Sequence, residues 1–151
     1  LSEEIARIKG KLRTTAEVQI DFPATIPSDY LPQENLRVTL YRRLLKTQYP
    51  QEVTELRKET IDRFGELPPS LKFLLDMAYV RSLASELNIT KIVSSRYETI
   101  ICADTEGAWR ELVLQGKWRR RLDGLIGPGG FDGMSSLCEI IERHYSTNLI
   151  K

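Results

Sequence analysis

Three carboxylates at helical spacing are the residues most able to do chemistry: Glu55, Glu59 and Asp62, in the stretch "ELRKETIDRFGELPPSLKFLLDMAYV". On a wheel of about 100° per residue with Val53 at zero, they fall at about 200°, 240° and 180°. Thr60 and Phe64 lie within about 20° of Val53, and Leu56 within about 60°, so the acids stand opposite the apolar face. Three uses are open to such a row. A solvated face, with Lys58 and Asp62 as an i, i+4 ion pair, is worth only ~0.3–0.5 kcal/mol. General acid–base catalysis needs a concave, partly desolvated site that moves a carboxyl pKa, and a convex stripe has none. A docking face for a basic partner is the third use. Like charges at i, i+4, here Glu55 and Glu59, slightly weaken a helix and give the domain nothing in return.

The other constellations are weaker. "KWRRR" places Lys117, Arg119, Arg120 and Arg121 around Trp118, residue types suited to phosphate contact and base stacking. On a strand those charges alternate between faces and do not form one patch. Otherwise the run is a solvated or ion-paired edge. "GPGGFDG" spaces Gly127, Gly129 and Gly133 one residue off the dinucleotide fingerprint. Pro128 removes a backbone donor, and no G-K-[ST] occurs, so the loop reads as a turn rather than a phosphate cradle. The single histidine, His144, has no nucleophile in a recognisable motif beside it. Cys102 and Cys138 form no C-x-x-C pair; their spacing leaves a disulfide open, buried free thiols are the reading preferred, and no metal site is expected.

These groups need elements to hold them. Leu1, Ile5, Ile8 and Leu12 predict a short amphipathic helix over residues 1–13, and "AEVQIDF" a strand. "PATIPSDYLP" has three prolines in ten residues and predicts an extended, stiff link. "QENLRVTLYRRLLKT" is a helix with Leu36, Leu40, Tyr41, Leu44 and Leu45 as its apolar stripe. A second helix runs from about 51 to 64 with Gly65 as its C-cap. A third runs from Pro69 to about Leu87, apolar around most of its circumference and central to the core; Asn88 closes it. "ITKIV" and "YETIIC" predict a hairpin. "EGAWRELVLQG" predicts a helix buried through Trp109, Leu112 and Val113, "WRRRLDGLI" an extended segment, and "GPGGFDG" a loop. A last helix starts near Asp132 and buries Met134, Leu137, Cys138, Ile141 and Tyr145. Helices clustered before a hairpin and later helices predict an α+β fold: one domain, several helices on a small sheet.

The 151 residues suffice for one domain with a real core. A net charge of +1 gives no whole-protein field toward nucleic acid or an anionic membrane. No apolar run approaches the ~18 residues of a membrane span, and the polar N-terminus has no signal-peptide core. Leu1 rather than Met comes first, which suggests a piece of a longer protein.

"IPSDYLPQENLRVTLYRRL" and "EVTELRKETIDRFGELPPSLKFLLDMAYVRSLASELNITKI" resemble the C-terminal domain of bacterial transcription-repair coupling factors, the Mfd translocases. The likeness covers about residues 17–103. It includes the extended Ile-Pro-x-x-Tyr-x-Pro entry and the hallmark Asp62-Arg63-Phe64-Gly65 followed by Pro68. "RLDG" at 121–124 also resembles the family; the remainder after Asp104 is less specific. The resemblance implies a cytoplasmic, ATP-driven DNA translocase of excision repair as the whole protein, acting on RNA polymerase and DNA and binding UvrA. ATP and Mg would then belong to its motor domains and no cofactor to this piece. Residues 1–16 would be the connector from those domains, and 17–151 a non-catalytic regulatory domain. Such a domain folds back on a UvrB-like N-terminal module and covers its UvrA-binding surface. Glu55, Glu59 and Asp62 are then the expected interdomain contacts, while Arg63, Phe64, Gly65 and Pro68 are structural. The alternative is a nucleic-acid-binding module using Lys117 to Arg121.

Overall fold

The structure, a computed structural model, describes residues 16–103 and 116–150, with side chains up to Arg143 apart from Ser85. The helices expected over 1–13 and around Trp109, Leu112 and Val113 lie outside the described residues, as do the side chains of His144 and Tyr145.

Five strands form one mixed sheet: β1 (Glu17–Ile20), β2 (Ile89–Ser94), β3 (Glu98–Ala103), β4 (Arg119–Arg121) and β5 (Gly124–Pro128), in the order β1-β2-β3-β5-β4. β1 runs parallel to β2, and the other neighbours are antiparallel. Four helices fill the crossover between β1 and β2: α1 (Glu34–Lys46), α2 (Pro50–Phe64), α3 (Pro69–Ser82) and the short α4 (Ala84–Leu87). α5 (Gly130–Ile150) follows the last strand. This is the α+β domain with a hairpin that the residue pattern predicts.

The core is set by register. Ile92, Ile101 and Leu125 face one another across β2, β3 and β5 and are fully buried. α3 contributes Leu71, Phe73, Leu75, Met77, Ala78 and Val80 to the same interior, and α5 contributes Met134, Leu137, Cys138 and Ile141. A helix buried around most of its surface belongs at the centre of a layer, and α3 lies between α2 and α5.

Local chemistry explains the boundaries. Pro50 opens α2, where its missing N–H costs nothing, and Glu52 Oε1 accepts the N–H groups of Gln48 and Tyr49. Gly65 ends α2 at φ 96°, ψ −168°, a conformation essentially restricted to glycine; it is not the left-handed cap expected. Its N–H still reaches the Ile61 carbonyl at 2.9 Å. Asn88 closes α4 in the left-handed region, as expected.

Four further expectations are corrected. The third helix is two, because Leu83 leaves helical geometry after Ser82 turns its hydroxyl onto the Tyr79 carbonyl. Leu45 is 73% exposed: it sits at the rim of an apolar groove of about 410 Å³ between β1, α1 and α3. "WRRRLDGLI" is not one extended run but a β4–β5 hairpin that turns at Leu122 and Asp123. "GPGGFDG" is not a loop: Gly127 and Pro128 pair with Thr99 and Glu98, and α5 begins at Gly130 rather than near Asp132. Gly127 is required by contact, since a Cβ there would enter the Trp118 ring.

Candidate interaction face

α2 presents its outer side as the sequence spacing requires. Val53, Leu56 and Thr60 are buried, and Glu55, Lys58 and Asp62 are exposed. α1 and α2 meet through Arg43, whose guanidinium donates to Glu59 Oε2 in an ion pair with both side chains less than half exposed. That hydrogen bond, with the nearby charges of Arg43 and Arg63, holds the Glu59 carboxyl below its usual range. The row of three acids is therefore not uniform. Its middle member is already matched within the chain, and Glu55 and Asp62 carry no ion pair among the described residues. The expected Lys58–Asp62 pair is absent there too. Seven residues, about 10.5 Å of helix, separate the two open carboxylates.

The structural residues of the motif are tied to the proline-rich entry. Tyr30 meets the Phe64 ring edge-on at 6.3 Å between centroids and donates its hydroxyl to the Gly65 carbonyl at 2.8 Å. Arg63 lies over Phe64, 4.9 Å from the ring centre. Pro68 stands just before α3, where its carbonyl accepts the Lys72 N–H at 2.9 Å. The entry itself is pinned: Arg37 Nη1 donates to the Leu31 and Pro32 carbonyls, and the Tyr41 hydroxyl accepts the Ile26 N–H. The Tyr-x-Pro link and the Asp-Arg-Phe-Gly corner thus form one unit at the C-terminal end of α2.

A second polar group lies under α2, and the sequence reading did not find it. Asp76, 3% exposed, accepts Arg57 Nη2 at 2.6 Å and Lys72 Nζ at 2.9 Å. Lys72 also donates to Ser135 Oγ at 2.8 Å, which joins α2, α3 and α5. The i, i+4 spacing of Lys72 and Asp76 was the available signal. Cys138 lies beside this group, where burial first and the Asp76 charge second push its thiol far up, so it stays protonated. Arg81 Nη2 caps the end of α1 by donating to the Leu44 carbonyl and Thr47 Oγ1. These polar groups are engaged in packing, and among the described residues no cluster of three or more His, Cys, Asp or Glu is placed to hold a metal ion.

The basic cluster is divided. Trp118 is 1% exposed, packed against Gly127, so the expectation that it stacks on a base is corrected. Lys117, Arg119, Arg120 and Arg121 are all exposed. Among the described residues no helix is long and apolar enough to cross a membrane.

Comparison with known proteins gives a consistent result. A family model described as the TRCF domain matches residues 20–108, more than half of the chain. The transcription-repair-coupling factor of Haemophilus influenzae is 39% identical over 77 residues, covering 51% of this chain and 7% of that protein. Its Escherichia coli counterpart is 38% identical over 76 residues, covering 50% and 7%. The Myxococcus xanthus protein is 33% identical over 103 residues, covering 62% and 9%. The chain thus matches less than a tenth of each relative's length. A crystal structure of the C-terminal domain of transcription-repair coupling factor shares the fold, with a TM-score of 0.52 at 18% identity over 76% of this chain and 80% of that one.

Proposed function

The chain belongs to the TRCF domain family, and from that premise we propose that its residues 17–151 form a non-catalytic regulatory domain of a transcription-repair coupling factor. In this reading the domain docks within its own longer polypeptide, on a UvrB-like N-terminal module, and masks the surface that binds UvrA. The observation that carries it is the outer side of α2, where Glu55 and Asp62 are exposed and, among the described residues, without an ion pair, on a helix whose opposite face is packed.

A tethered domain meets its partner at an effective concentration up to about the mM range, so a small, polar contact can hold it closed. Two open carboxylates on a rigid helix supply register and charge complementarity to arginines or lysines of the covered module. Release requires only that RNA polymerase or DNA favour the open form by interacting differently with the two states. Glu59 takes a different part from its neighbours: it pairs with Arg43 across α1 and α2 and leaves the docking contact to Glu55 and Asp62.

The test is the double variant Glu55→Lys with Asp62→Lys in the full-length protein. UvrA binding should rise several-fold and approach that of a protein lacking residues 17–151. UvrA binding equal to wild type, with the domain still associating normally, would contradict the proposal.

A further inference from the structure

The far edge of the sheet carries an arrangement that the α2 face does not use. β4 is the terminal strand, so among the described residues one side of its backbone lies outside the ladder. Its three residues are arginines and all three are exposed. Arg119 faces Ile126, Arg120 faces Leu125 and Arg121 faces Gly124, so Arg119 and Arg121 share the outer face while Arg120 lies on the side of the buried Leu125. Lys91 lies in the same row as Arg121, through Cys102 and Gly124. Among the described residues the one carboxylate within ion-pair distance of these arginines is Asp123, 3.6 Å from Arg121 Nε; Arg119 and Arg120 have none. Leu122, next in the chain, stands fully in solvent at the hairpin turn.

We propose that β4 is a docking edge for an acidic, extended protein segment, which adds beside it as a further strand. Its backbone pairs with the open side of β4, and its alternate acidic side chains meet Arg119 and Arg121, which repeat every ~6.6 Å like any i, i+2 pair on a strand. Cross-strand opposite charges stabilise such pairing, while like charges directly opposite oppose it, so the same arginines exclude a second copy of this edge. Leu122 offers an apolar anchor beside the charged row. A protein strand fits better than nucleic acid on two counts. The tryptophan that would stack on a base is buried, and the arginines leave the strand on both faces, which a neighbouring strand can meet and a single phosphate backbone cannot.

The test titrates the 151-residue chain with a fluorescent octapeptide alternating glutamate and threonine, alongside a lysine–threonine peptide and a single-stranded DNA oligonucleotide. The acidic peptide should bind at low salt and weaken as salt rises, and it should slow amide exchange at 119–121. Affinity should fall about tenfold or more in Arg119→Glu with Arg121→Glu, as expected for reversing two exposed charge pairs. Glu55→Lys with Asp62→Lys should leave it unchanged, which separates this edge from the α2 face. Arg119→Gln with Arg121→Gln gives the same reading with less perturbation should the charge reversal unfold the chain. No binding by the acidic peptide, binding indifferent to both arginine variants, or tighter binding of the DNA overturns the proposal.

Discussion

Charge spacing along a helix shows which side chains share a face but not which of them are still available. Glu55, Glu59 and Asp62 share the outer side of α2 as the wheel requires. Arg43, sixteen residues earlier on α1, removes Glu59 from the open set. The sequence held no local sign of that pair, because it depends on how two separate helices pack. The pair has a pH consequence with a fixed sign. A carboxyl held below its usual range contributes stability above the unfolded-state pKa, and that contribution is lost as pH falls through the lower, folded value. Arg43→Ala should therefore raise the Glu59 pKa toward that of an ordinary exposed glutamate, read by NMR titration of its side-chain carboxyl. An unchanged value would show that the pair does not persist in solution.

Among the elements, α3 was legible because apolar residues surround it, and the β2–β3 hairpin because two β-branched runs flank a short turn. What was hidden came from long-range fit. Gly127 reads as a loop glycine until Trp118 is placed against it, and the break at Leu83 has no proline or glycine to announce it. The polar knot joining α2, α3 and α5 was also missed; the i, i+4 spacing of Lys72 and Asp76 was its one local sign. Its energetics are asymmetric. Asp76→Asn leaves two cations, Arg57 and Lys72, whose side chains are 29% and 44% exposed and can turn to water. Removing both cations instead leaves a carboxylate that is 4% exposed with no counter-charge. Asp76→Asn should cost about 1–3 kcal/mol, and Arg57→Met with Lys72→Met about 3–5 kcal/mol, by urea denaturation. The reverse order would mean that the cations, rather than the acid, set the cost.

For the molecule as a whole, fold and family were legible in the sequence from the Tyr-x-Pro entry and the Asp-Arg-Phe-Gly corner. The structure adds the reason these two signatures travel together: Tyr30 packs on Phe64 and binds the Gly65 carbonyl. That corner fixes the far end of α2 and so fixes the direction in which Asp62 points. Anchored by the burial of Val53, Leu56 and Thr60, α2 presents two carboxylates that no described residue pairs, a form suited to meeting a basic surface in one register. Its masking is most directly measured with a thiol placed at the exposed rim of the acidic row, Lys58→Cys, followed by mass spectrometry of its alkylation rate in this chain alone and in the full-length protein. Docking predicts alkylation at least about tenfold slower in the full-length protein, corresponding to a closed state favoured by ~1.4 kcal/mol or more, with the difference erased by Glu55→Lys and Asp62→Lys. Equal rates in the two settings would contradict it.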